Sequence, residues 1–131
     1  KPIISMINGH AHGAGFNLAL GCDLRIRADS ATLCNPFVKR GIATGTSLLQ
    51  QFVDIGKAME WALLGPQRSA QEAERWGLVH RVVTLLELEA ATLELAHELA
   101  QGSIRIYGFT KSAVIHGWEV APERAYEYQG H

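Results

Sequence analysis

Charge of one sign is missing from this sequence. Twelve Lys and Arg stand against 13 Asp and Glu, a net charge of −1, so no basic stripe marks a nucleic-acid or polybasic membrane surface. Long hydrophobic runs are missing too: no apolar stretch approaches the ~20 residues that span a bilayer, and no charged segment followed by a hydrophobic one opens the chain. A cytoplasmic setting with neither nucleic acid nor membrane as partner is expected. Cysteine is scarce. Cys22 and Cys34 lack metal-ligand spacing and stand among apolar neighbours, which reads as buried free thiols and not as a disulfide. His97-Glu98 lacks the second histidine of a zinc motif, so no metal site is expected. Repeats, low-complexity tracts and linkers are also absent. What remains is 131 residues, 47% hydrophobic and 19% charged, the composition of one globular domain at most.

The most informative stretch is Asn8-Gly9-His10-Ala11-His12-Gly13-Ala14-Gly15-Phe16-Asn17. It follows an apolar run, Ile3 to Ile7, of strand composition, and precedes Leu18-Ala19-Leu20, which reads as buried helix. Glycines thus cluster at a strand-to-helix turn. There they permit positive φ and let a ligand approach the backbone. The first N–H groups of the helix have no internal partner and lie at the positive end of its dipole, so a negatively charged oxygen suits this place.

Several familiar sites fail on spacing. A dinucleotide fingerprint would need a third glycine where Leu18 stands, and no Lys-Ser/Thr follows to make a P-loop. A nucleophile elbow would need serine at Ala14. Two readings stay open: an oxyanion hole with the Ala14 N–H as donor, or a close strand–helix packing turn without a ligand.

Along the chain, helix is expected from Phe16 to Gly21. Strand follows over Asp23 to Ala28, alternating Leu24 and Ile26 with Arg25 and Arg27 as a strand with one wetter face would, and again over Ala31 to Cys34. A loop over Phe37 to Thr46 precedes a helix from Ser47 to Val53, capped by Thr46 and ended by Asp54-Ile55-Gly56. Lys57 to Leu64 reads as helix stopped by Gly65-Pro66, and Ser69-Ala70-Gln71-Glu72 as a capping box. A small strand over Leu78 to Val82 and an amphipathic helix over Leu85 to Ala100 come next, then helices over Ile104 to His116 and Ala121 to Gln129. Ile3 to Ile7 is expected in the middle of a parallel sheet covered on both faces. Trp61, Trp76 and Trp118 read as core or interface residues.

Lys1-Pro2-Ile3-Ile4, Asn8-Gly9, Gly13-Ala14-Gly15 and Leu18-Ala19-Leu20-Gly21-Cys22-Asp23-Leu24-Arg25-Ile26 together resemble the signature segment of the enoyl-CoA hydratase/isomerase (crotonase) superfamily. Gly41-Ile42, Leu63-Leu64-Gly65, Ser69-Ala70, Glu72-Ala73, Gly77-Leu78-Val79, Val82-Val83 and Thr110-Lys111 follow in matching order. The resemblance implies an α/β fold, a spiral of ββα units at 1–83 with its N-terminal part absent, then a helical trimerisation-type region at 84–131. Its members are longer, which makes this chain read as their middle and C-terminal part, a fragment. A homotrimer or dimer of trimers is implied, with a place in fatty-acid metabolism.

The resemblance also implies chemistry. Crotonase-type enzymes bind an acyl-CoA thioester and hold the oxygen of an enolate-like intermediate with two backbone N–H groups, while carboxylates move protons; coenzyme A enters as part of the substrate and no other cofactor is implied. By resemblance Ala14 is one donor, the other coming from an earlier segment. Gly13, Pro36, Phe37 and Gly45 would line the substrate site, and Lys111 would approach a CoA phosphate. The two glutamates of hydratases in the family correspond to Asn17 and Phe37 here. An amide and a phenyl ring cannot serve as general bases; Asn17 can orient water or a polar group, and Phe37 can wall an apolar acyl pocket. Gly45 stands where dienoyl-CoA isomerases carry an aspartate. His12, beside the turn and titrating near neutrality, is the candidate to take part in the chemistry. Asp23 reads as a cap or strand-end acceptor. The alternatives are a divergent CoA isomerase, decarboxylase or C–C hydrolase, and a non-catalytic scaffold.

Overall fold

The computed structural model describes residues 1–43 and 48–119, with side chains through Gly117. The elements are β1 (Ile4–Ile7), β2 (Ala11–His12), α1 (Ala14–Leu20), β3 (Leu24–Ala28), β4 (Leu33–Cys34), α2 (Ile55–Leu64), β5 (Gln67–Arg68), α3 (Ala70–Arg75), β6 (Arg81–Val83), α4 (Leu88–Ala100) and α5 (Ile104–Glu119), with 3-10 turns at Phe37–Arg40 and Leu49–Gln51. Residues Ile3–Leu93 form one compact unit; Lys1–Pro2 and the chain from Glu94 onward belong to a second. Gly45, Thr46 and the helix expected over 121–129 lie outside the described residues, as does Ser47 at the start of the helix expected before Asp54.

The first unit holds two three-stranded sheets, β1-β3-β6 and β2-β4-β5. β1 and β3 run parallel with Ile4 opposite Leu24 and Ile7 opposite Arg27, and β6 adds parallel to β3 with Ile26 opposite Arg81. β1 is therefore an edge strand among the described residues, and β3 takes the central place expected for Ile3 to Ile7. Asp23 accepts from the Ile3 N–H at 2.8 Å, the strand-end bond expected of it. In the second sheet β2 lies parallel to β4, with Ala11 opposite Leu33 and His12 opposite Cys34, and β5 runs antiparallel to β4. β2 and β5, two residues each, are too short for alternation to reveal them.

The core is built on Phe16, Ile26, Leu33, Leu49, Trp61, Leu78 and Leu88, all fully buried. Each apolar side chain removed from water contributes roughly 1.5–3 kcal/mol. Phe16 of α1 packs on Trp61 of α2 with ring centroids 5.0 Å apart, and Trp76 meets Trp61 edge-on at 5.7 Å, so the aromatic chain ties α1 to α2 and the end of α3. Both cysteines are free thiols.

The wetter face expected for β3 does not exist. Arg25 is 2% exposed and Arg27 0%, because the chain around Cys22, Phe52 and Leu78 covers Arg25 and that around Ala31 and Ser69 covers Arg27. Their guanidinium groups donate to backbone carbonyls: Arg25 to Leu78 and Cys22, each at 2.6 Å, and Arg27 to Ala31 and, at 3.3 Å, to Ser69. The Arg25 guanidinium also lies 4.6 Å over the Phe52 ring. Burial brings the Arg27 pKa down to about 10.

Helix ends follow the local chemistry, with one reversal. Asp54-Ile55-Gly56, expected to close a helix, opens α2 instead: the Asp54 carboxylate accepts from the Lys57 N–H at 2.9 Å as an N-cap. The preceding segment shows only the 3-10 turn Leu49–Gln51 where a helix was expected. α2 ends on Gly65 in the left-handed region, φ 56°. Ser69 and Glu72 form the expected capping box of α3. Strand pairing begins at Arg81 and not at Leu78, whose side chain is fully buried. Thr84 and Glu87 bond reciprocally ahead of α4 and move its first turn to Leu88, three residues later than expected.

Candidate active site

β2 delivers the chain to Gly13, whose N–H donates to the Cys34 carbonyl at 3.0 Å and so ties the turn to β4. Gly13 then takes φ 58°, ψ −119°, and a Cβ built on it would lie 3.4 Å from the Phe37 ring. Glycine is required there for its backbone angles, and the Phe37 ring lies at van der Waals distance above it. The turn continues directly into α1, with Ala14 as first residue, Gly13 supplying no side-chain cap and no acidic residue in the first turn. The Asn17 N–H closes on the Gly13 carbonyl at 3.1 Å. Among the described residues no acceptor meets the Ala14 N–H, which sits at the positive end of the helix.

Asn17 stands one turn further on and is half-buried; its Oδ1 is shielded from solvent and meets no donor among the described residues. Phe37 opens the 3-10 turn that follows Pro36, and Gly41 ends that turn with φ 67°. Gly13, Ala14 and Phe37 are thus brought together by the return of β4 beside β2, with Asn17 on the same helix as Ala14. Pro36 is half-buried beside them in sequence. Lys111 lies on α5, in the second unit. Gly45 lies outside the described residues.

His12 is exposed and bonded laterally. Its Nε2 lies 2.9 Å from Thr32 Oγ1, the same hydroxyl is 2.8 Å from His10 Nδ1, and Gln67 Nε2 donates to it at 2.7 Å. The two imidazole centroids are 5.6 Å apart. Partial burial and then the neighbouring His10 push the His12 pKa below the usual histidine range. Thr32 and Gln67 were not among the expected site residues. The one available signal was the i, i+2 spacing of His10 and His12; the partners come from strands whose register no local pattern shows. Beside this group, an open cleft of 210 Å³ runs between the end of β1 and α1, with Met6, His10, Gly15 and Leu18 in its wall. Among the described residues no group of three or more His, Cys, Asp or Glu is placed to hold a metal ion. Among them also, no helix is long and apolar enough to cross a membrane.

A sequence profile of the family described as Enoyl-CoA hydratase/isomerase matches residues 1–130. The chain belongs to the enoyl-CoA hydratase/isomerase family. It is 40% identical over 124 residues to mevalonyl-coenzyme A hydratase of Aspergillus fumigatus, a match covering 92% of this chain and 46% of that one. It is 33% identical over 132 residues to 4-chlorobenzoyl coenzyme A dehalogenase-1 of an Arthrobacter species, covering 98% and 48%. The crystal structure of enoyl-CoA hydratase from Bacillus anthracis superposes with a TM-score of 0.95 at 34% identity, covering 98% of this chain and 51% of that chain. The fold is the crotonase fold of that family, in part: this chain spans about half the length of the relatives it matches.

Proposed function

We propose that the full-length protein is an acyl-CoA enzyme of the enoyl-CoA hydratase/isomerase family, and that the Ala14 N–H binds the thioester oxygen as it gains enolate charge. The observation that carries this reading is the Ala14 amide, set at a helix start without an acceptor among the described residues, next to a glycine roofed by Phe37. A donor aimed at developing charge in a water-poor site lowers a barrier by about 3–4 kcal/mol. Phe37 gives the acyl group an apolar wall, and the unmet Asn17 Oδ1 accepts a hydrogen bond from substrate or from water. Pro36 and Gly13 shape the same pocket, and no cofactor is needed beyond the coenzyme A of the substrate. A trimer packed through the C-terminal helices in the cytoplasm is the assembly in which this chemistry is placed.

The substitution Ala14→Pro tests the reading. Proline is tolerated at the first position of a helix, so it removes the N–H while leaving α1 in place. In the full-length protein kcat/KM for acyl-CoA turnover is expected to fall about 100-fold or more, with the thermal midpoint and circular dichroism close to wild type. Unchanged turnover in a folded variant overturns it.

Asn17 and Phe37 favour a second reading at the level of the reaction, in which the thioester site is kept but a reaction other than simple hydration is run, as the similarity to a CoA dehalogenase supports. Crotonyl-CoA separates the two: hydration supports the first, whereas binding without hydration supports the second. A scaffold without catalysis would turn over no acyl-CoA at all.

A further inference from the structure

The Thr32 hydroxyl has three partners, and counting protons on them gives a result that no single contact shows. A hydroxyl offers one proton and two lone pairs. The Gln67 amide N–H donates to it and occupies one lone pair, leaving one lone pair and one proton for His10 Nδ1 and His12 Nε2. One ring must therefore bring an N–H and the other a bare nitrogen. When His12 is the imidazolium, its Nε2–H donates to Oγ1 and the hydroxyl donates to His10 Nδ1. If the Nε2 proton passes to Oγ1 while the hydroxyl proton passes to His10 Nδ1, the charge moves to His10; no proton is gained or lost and no side chain moves.

Resting on the acyl-CoA reading above, we propose that His12, Thr32 and His10 form a hydroxyl-bridged proton relay. It carries a single exchangeable proton between the turn that leads into Ala14 and the cleft lined by His10, and supplies the proton transfer for which Asn17 and Phe37 offer no carboxylate. The placement supports it. His12 directly precedes Gly13-Ala14, and His10 lies in the wall of the 210 Å³ cleft. Gln67 is a positioning residue, because its N–H holds one lone pair of the hydroxyl and takes no part in the transfer, while Thr32 hands the proton on by releasing one as it accepts another. Other ionisable groups on the packed strands are engaged elsewhere: on β4 the Cys34 thiol donates to the Gly65 carbonyl, its pKa raised by burial against the opposing effect of Lys39, and on β5 Arg68 is paired with Glu60 and Glu72. His10 is one of the causes that hold the His12 pKa down, after burial, so the two rings lie within each other's electrostatic reach.

The test uses the full-length protein and two independent readouts. Imidazole nitrogen shifts read by NMR are expected to show a proton on one of the two ring nitrogens that face Thr32, His12 Nε2 or His10 Nδ1, and none on the other. Thr32→Val should remove that pairing of tautomers, and Thr32→Ser, which restores the hydroxyl, should bring it back. In turnover, Thr32→Val and His12→Gln are each expected to lower kcat roughly 10- to 100-fold and shift the acid limb of the pH profile, with KM for the acyl-CoA held; Thr32→Ser should recover most of the loss. Both facing nitrogens protonated, or both bare, in the wild type overturns the relay, as does a Thr32→Val enzyme with the wild-type rate and pH profile. Binding of acyl-CoA by the wild type is measured separately. If it fails, the acyl-CoA reading falls and the proposed role in turnover falls with it, while the ring-nitrogen NMR still decides whether the relay exists.

Discussion

A single side chain in this fold is decided by what its strand neighbours leave open to it. Arg25 shows this: its guanidinium is buried against carbonyls, and its own backbone N–H donates to His80 Nδ1 at 3.0 Å. That acceptor must be an unprotonated nitrogen. Burial, and then the charge of Arg25, hold the His80 pKa below the usual histidine range. A histidine whose folded pKa is depressed stabilises the fold fully above its unfolded value near 6.5 and loses that contribution as pH falls toward the folded value. Denaturation of the full-length protein between pH 7 and 5 is therefore expected to show stability falling from about pH 6.5 downward. His80→Asn keeps an acceptor where Nδ1 stands but cannot titrate, so the fall should be shallower in that variant. Identical pH curves for the two proteins would mean that His80 does not sense pH here.

Helices and strands in this chain are bounded by a few residues whose geometry permits no substitute. Gly65 ends α2 at φ 56°, and a Cβ there would lie 2.8 Å from the Asn35 carbonyl oxygen. Gly65→Ala thus meets both the left-handed backbone penalty of about 1–2 kcal/mol and a collision with backbone that cannot swing aside. Loss of about 2 kcal/mol or more of unfolding free energy is expected, read by chemical denaturation. The same carbonyl belongs to the residue before Pro36 and Phe37, so on the acyl-CoA reading proposed above the variant should also weaken acyl-CoA binding. The ends that sequence made legible were those with their own short-range chemistry: Ser69 with Glu72, and Gly65 followed by Pro66. Asp54 was misread because an aspartate next to glycine fits a helix end as well as a start, and only the Lys57 N–H pointing at it decides between them.

For the molecule, one consequence follows from the sheet order. β1 pairs only with β3 among the described residues, and Ile3 and Met6 beside its open edge are 51% and 45% exposed. An unpaired apolar edge invites pairing with another chain, and a lysine placed on it opposes that. The 131-residue chain is expected to self-associate with rising concentration in sedimentation or light scattering, and Met6→Lys to reduce it; equal association of both would show that this edge is not the contact.

Sequence by itself determined the strand–turn–helix at Gly13-Ala14, the family, the free thiols and the capping box of α3. These are properties of short segments, where backbone angles and hydrogen bonds depend on residues a few places apart. Only tertiary structure decided that Arg25 and Arg27 are buried, that Phe37 roofs Gly13, and that Thr32 and Gln67 join His10 and His12 into one hydrogen-bonded group. Those facts depend on which strands lie side by side and in what register, and the register of a two-residue strand is set by the packing of the whole unit, leaving no periodicity for the sequence to display.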